Sequence, residues 1–267
     1  MYKHGEHLFK SSFETWLAYP IIAVCTILAA YTGMFTSSAY TLPFFAPFAV
    51  YLPLLFAVKL GKFENGVKHL IWWAMLYVIA IFFMTLSDEE TVKQTVIHSS
   101  VYANNKFKWI KYDDLSWNKD FVGSTFGQYF LIGISSLASG GLIGLLIISR
   151  ELAKMGYYSG ALVLNSMDEF TAFIMSLEIW NILKIIAFLY LIMSLSSFFL
   201  YWIMDFQLEK RKILKHLLVS FFLIITSVFL QMIFMSPTQK ILNKVAPNLP
   251  IMQLPPEAET TDFKFYK

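Results

Sequence analysis

The sequence predicts an all-α integral membrane protein, a polytopic helical bundle with about six transmembrane helices and one small extracytoplasmic segment. Composition is the first reason: of 267 residues, 57% are hydrophobic and only 15% are charged, against about 25% charged in a soluble domain. Run length is the second. A helix needs about 20 apolar residues to cross the hydrocarbon, and six runs come close: 17–35, 43–58, 69–86, 129–148, 179–204 and 217–235. The third is charge placement, because short cytoplasmic loops collect Lys and Arg.

The first run, "WLAYPIIAVCTILAAYTGMF", is long enough to span, and no small-residue cleavage site sets it off as a signal peptide. Cys25 is the one cysteine and lies inside it, so an intrachain disulfide is excluded and Cys25 reads as a small core residue. The second run is short and holds Pro43, Pro47 and Pro53, which suits a kinked or a re-entrant segment. With the N-terminus cytoplasmic, Lys3, Lys10, Lys59, Lys62, Lys68, Arg150 and Lys154 all fall inside. Segment 87–126 then lies outside, its five lysines outnumbered by six acids. The expected division is 1–86 with three spans, 87–126 extracytoplasmic, 127–237 with the remaining spans and a cytoplasmic connector 149–178, and a proline-rich tail 238–267. The expected setting is the bacterial inner (plasma) membrane, with the N-terminus cytoplasmic.

One loop resists that scheme. A simple six-span count leaves Lys210, Arg211, Lys212 and Lys215 outside, against the usual bias. Either part of 157–175 dips into or crosses the membrane, or the rule fails here. In the tail, Pro237, Pro247, Pro250, Pro255 and Pro256 predict an extended chain rather than a continuous helix.

Candidate sites are few. Ser136, Gly140 and Gly144 recur every fourth residue in the fourth run, a small-residue stripe that suits close helix packing, within the chain or with another subunit. Glu178, Asn181 and Lys184 step by three at the start of the fifth run and form a polar intramembrane face, read as structural pairing or as substrate handling. Arg150 and Lys154, four apart, offer a docking face for a soluble cytoplasmic partner, with Gly156 ending their helix and Asn165 or Ser166 capping the next; a solvated connection fits the same residues. "KFKWIKYDDLSW" interleaves Lys106, Lys108 and Lys111 with aromatics, which suits the headgroup boundary or a partner surface better than a nucleic-acid strand beside Asp113 and Asp114. With Arg150 and Arg211 the only arginines, no direct nucleic-acid readout is expected.

"HGEH" carries His4, Glu6 and His7 without further ligands at metal spacing, so no metal or other cofactor is expected. No phosphate loop, H-E-x-x-H or G-x-S-x-G motif is present, which leaves catalysis unsupported.

The order of features from 69 to about 174 resembles the membrane anchor of type IV secretion coupling proteins, the TraD and TraG family of conjugation systems. The counterparts are the span 69–86, the acidic and aromatic 87–126, the Gly-rich 129–148, then Arg150 and Lys154, then "SGALVLNSMDEFTAFI". The nucleotide-binding domain of that family has no counterpart here. The resemblance implies a non-enzymatic membrane component of a secretion or conjugation apparatus, partnered by membrane lipid and other subunits. The alternative is a small transporter or channel using the polar face of the fifth span.

Overall fold

The computed structural model describes residues 18–35, 44–96, 98–112, 121–204 and 210–251. They are helical throughout, with no strand among them. In chain order the helices are α1 (Ala18–Phe35), α2 (Phe48–Lys59), α3 (Phe63–Ser87), α4 (Glu89–Thr95), α5 (Ser99–Tyr112), α6 (Phe121–Ser139), α7 (Leu142–Leu164), α8 (Glu169–Ser176), α9 (Ile179–Met204) and α10 (Lys210–Val245). The α3 helix, the stretch Glu169–Ile203 and α10 are each long and apolar enough to cross a membrane.

Side-chain contacts give the helix directions. A Cβ on Gly156 of α7 would meet Val78 and Ile81 of α3, and one on Gly160 would meet Phe82 and Thr85. Contacts that advance together along both chains mean that α3 and α7 run parallel, and the two glycines let the backbones approach closely. The α9 helix runs the other way, since Met193, in its second half, fills the space beside Gly66 near the start of α3, while Glu178, just before α9, pairs with Lys106 of α5 beyond the end of α3. The α10 helix then returns: Lys212 donates to the Gly61 carbonyl at 3.0 Å near its start, whereas Gln239 donates to the Trp109 carbonyl at 3.0 Å near its end. One end of the bundle therefore collects Lys59, Lys62, Lys68, Lys212 and Lys215, and is called the basic end below. The opposite end is capped by α4, α5, α8 and the last turns of α10.

The apolar run 129–148 is not one helix. Gly140 and Gly141 both have positive φ, +62° and +93°, a conformation that ends a right-handed helix and costs glycine nothing. The chain reverses there. Tyr129 packs on Phe188 of α9 and Gly133 on Leu191 and Leu195, so α6 runs toward the basic end and α7 climbs back from it. Gly140 lies against Phe199 and Tyr51.

Further expectations change. Gly156 does not end a helix, because the backbone continues to Leu164 and the glycine serves the contact with α3. Within the segment 149–178, residues 152–163 are buried without a break, whereas Leu164 and 167–170 are exposed. Beyond Leu164, the residue that caps the following helix is Asp168, accepting from the Thr171 amide, rather than Asn165 or Ser166. Pro237 lies inside α10, which runs on to Val245; the turns beyond it are held by the Gln239 bond and by buried Leu242, compensation of the kind that lets a helix survive a proline. Finally, α2 is short. Ala46, just before it, accepts from the Trp73 indole at 2.9 Å, so α2 covers only the part of the bundle between that level and the basic end.

The core is assembled from large side chains that are fully buried, among them Trp73, Tyr77, Trp109, Tyr158 and Phe188. Trp73 and Tyr77, one turn apart on α3, stack with their rings nearly parallel.

Candidate functional site

The most concentrated polar chemistry lies under the cap. Glu178 is the residue before α9, held at φ 43°, a left-handed conformation that is uncommon for a residue with a side chain. Its carbonyl accepts from the Asn181 amide at 2.7 Å and so begins the helix. Its carboxylate is buried and saturated. Lys106 Nζ donates to Oε1 at 2.7 Å and Oε2 at 2.6 Å, and Oε2 also accepts from Trp180 Nε1 at 3.0 Å and Asn181 Nδ2 at 2.6 Å. The side chains of Lys106 and Glu178 are 4% and 0% exposed. Charges so deep are tolerated only when paired and hydrogen-bonded, and the strained backbone at Glu178 is what aims the carboxylate at all three donors.

Aromatic rings close the pair in. Lys106 Nζ lies 5.5 Å from the Trp109 ring centroid, 5.8 Å from Tyr158 and 5.9 Å from Tyr102, distances at which a ring face attracts a cation. Tyr102, Lys106 and Trp109 stand at i, i+4 and i+7 on α5, one face of that helix. The pair therefore ties the cap helix α5 to the start of α9.

A second set of charges adjoins the first. Lys154 lies 5.8 Å from the Tyr102 ring and pairs with Glu151 at 3.4 Å, while Glu151 also feels Lys184 and Arg150. Since Gly156 packs level with Val78 and Ile81, Glu151 lies about 7 Å nearer the basic end at 1.5 Å per residue. That is level with the middle of α3. Further along α7, Tyr158 Oη and Ser159 Oγ are buried with no hydrogen-bond partner among the described residues.

The residues singled out in the sequence are distributed as follows. Glu178 and Asn181 meet in one hydrogen-bonded group, and Lys184 joins through Glu151 rather than through Glu178 alone. Lys154 is 7% exposed and Arg150 half-buried. Ser136, Gly140 and Gly144 converge at the α6–α7 reversal: the space a Gly144 side chain would need is held by Ser136 Oγ and Ile192. His4, Glu6 and His7 lie outside the described residues, as do Asp113, Asp114, Trp117 and the tail from Met252. Among the described residues no three His, Cys, Asp or Glu side chains gather as a metal site would require.

The partners that sequence reading missed are Lys106, Trp180 and Glu151. Lys106 is 72 residues from Glu178, and nothing local announces such a pairing. A helical reading of 99–112 would have shown the common face of Tyr102, Lys106 and Trp109.

No known protein family, curated protein or solved structure matches the chain. Its class rests on the fold: an all-helical bundle with helices long and apolar enough for a membrane.

Proposed function

We propose that the chain is a non-catalytic integral subunit of a multiprotein membrane complex, in which the spans carry a rigid extracytoplasmic cap. The observation that carries this reading is the saturation of Glu178 by Lys106, Trp180 and Asn181: the most buried charges are spent on fixing the cap to the bundle.

Topology follows from helix direction. Exposed apolar side chains on α10 run from Leu214 to Phe234, about 30 Å at 1.5 Å per residue, which is the thickness of the hydrocarbon. In the proposed topology α1, α3, α6, α7, α9 and α10 each pass through the membrane and α2 goes only part of the way; its support is that α3, the stretch Glu169–Ile203 and α10 are long and apolar enough to cross. Because 129–148 reverses at Gly140–Gly141, the cluster from Lys210 to Lys215 returns to the side of Lys59, Lys62 and Lys68. The positive-inside rule then makes the basic end and the N-terminus cytoplasmic, and the cap extracytoplasmic. The bacterial inner membrane is the setting this proposal assumes. The secretion or conjugation type of complex is supported by the pattern of a span followed by a small outer segment at 69–126. The likeness to coupling proteins stops at 149–164, where a helix stands in place of that family's strand.

Purification in mild detergent from the native membrane tests the reading. A stable assembly containing other membrane proteins is expected; recovery of the chain alone, at native abundance and without loss of fold, overturns it.

A second reading, a small transporter or channel, is favoured by one observation: Glu151, Lys154 and Lys184 interact with one another between the helices, and ionisable groups inside a membrane bundle commonly serve ion or proton pathways. Proton or ion flux in reconstituted liposomes that disappears in Glu151→Gln would establish it, whereas liposomes as tight as protein-free ones would remove it.

A further inference from the structure

The structure assigns a second binding site, at the basic end: we propose that the cleft between α3, α9 and α10 holds the phosphate headgroup of an anionic phospholipid. The inference rests on the membrane topology above. The cleft has a volume of about 240 Å³, below the usual range for a drug-sized ligand. It suits a phosphodiester headgroup with its chains lying outside.

Its walls divide by chemistry. Lys68 on α3 and Lys215 on α10 supply two cations, and His216 and Tyr190 complete the polar side. Val67, Ile71 and Val219 form the apolar side. Glu64, Lys68 and Ile71 follow one face of α3, and Lys215 and Val219 one face of α10, so each helix passes from charge at the mouth to hydrocarbon further along. Leu214 and Leu218 of α10 are exposed nearby, which continues the apolar wall into the lipid-facing belt. A free phosphate has no use for that wall. An acyl chain does.

Glu64 is the one acid in the cleft, and Lys215 reaches it at 3.5 Å with the two side chains 67% and 72% exposed. Exposed pairs of this kind bind weakly, so Lys215 can turn to a phosphate. His216 is fixed more firmly: its Nδ1 donates to the Lys212 carbonyl at 2.8 Å, and its ring lies 5.7 Å from Phe63 and 5.4 Å from Tyr190. The cleft is thus a preformed pocket with mobile lysines at its mouth. Basic pockets between transmembrane helices at the cytoplasmic surface are suited to anionic headgroups.

The test uses the full chain in phosphatidylcholine nanodiscs doped with phosphatidylglycerol, with retained lipid read by native mass spectrometry after detergent exchange. Retention of phosphatidylglycerol over phosphatidylcholine is expected, falling about fivefold for each lysine removed in Lys68→Gln and Lys215→Gln. The control Lys59→Gln/Arg211→Gln removes two charges at the same end but outside the cleft, and should keep the preference. Loss of preference in the control as well would mean a diffuse basic surface, and overturns the site. Displacement of the lipid by millimolar inorganic phosphate would identify free phosphate as the ligand and overturn it too. Insertion without any lipid preference refutes this inference alone, while failure to insert into nanodiscs refutes the membrane reading beneath it.

Discussion

Replacing Lys106 by methionine keeps a long apolar stem on α5 and removes only the ammonium. Glu178, whose side chain is fully buried, keeps Trp180 and Asn181 as donors but loses both bonds to Lys106. Leaving one member of a buried pair uncompensated costs about 3–5 kcal/mol. Glu178→Gln alone should cost a similar amount, because its amide sets a donor against the Lys106 ammonium. The double variant Lys106→Met/Glu178→Gln has no buried charge left to stabilise, so the two losses should not add; the coupling expected between contacting residues is about 1–3 kcal/mol. Thermal unfolding in detergent, followed by size-exclusion chromatography, reads the stability. Limited proteolysis between α5 and α6 reads the seating of the cap. Additive losses, or a Lys106→Met protein as stable as the wild type with its cap still protected, would refute the ion pair as the fastening between cap and bundle.

Gly156→Ala should destabilise the α3–α7 contact by about 1–3 kcal/mol, since its Cβ would lie 2.8 Å from the Val78 carbonyl oxygen; unchanged unfolding temperature would mean that the helices separate easily. Gly140→Ala should be destabilising for two reasons, a φ of +62° and a Phe199 contact at 2.8 Å, and would be seen as lower yield of folded protein; a variant as stable as wild type would refute the tight reversal. The Asp88 and Asp168 carboxyls, each accepting from the amide and hydroxyl of the threonine three residues on, Thr91 and Thr171, are held below their ordinary range by those bonds. A lowered folded pKa gives stability that is present above the unfolded value, about 3.9, and is lost as pH falls through the folded one. Protection of the α4 and α8 amides, measured against the intrinsic exchange rate at each pH, should therefore fall only below about pH 4, and Asp168→Asn should abolish that dependence in α8; loss of protection beginning near neutral pH would contradict the capping role.

Helical membrane character was legible in composition and run length because both are properties of the chain summed over many residues. The reversal at Gly140–Gly141 was not, since a small-residue stripe and a glycine turn are written with the same letters, and only φ separates them. Lys154 looked solvent-facing because neither Glu151, three residues earlier, nor Tyr102, on a distant helix, was seen as its surroundings. Pro237 looked like a helix end because the bond from Gln239 to Trp109 joins positions 130 residues apart. Glu178 was found, but as a helix-face residue; its place is one step before the helix, where the backbone turns it inward. Two of these misreadings turn on long-range contacts, Lys154 with Tyr102 and Gln239 with Trp109, which local pattern does not encode; the others turn on local backbone conformation that residue type alone does not fix.

The account stands on the two lysine clusters sharing one side of the membrane. In a Cys25→Ala background, single cysteines at Lys59 and Arg211 report the basic end, and cysteines at Gln94 and Lys244 report the cap; all four positions are exposed. An impermeant thiol reagent added to intact cells should label Gln94→Cys and Lys244→Cys at once, and Lys59→Cys and Arg211→Cys only after the membrane is opened. Labelling of Arg211→Cys from outside while Lys59→Cys stays protected would place the clusters on opposite faces and contradict the account.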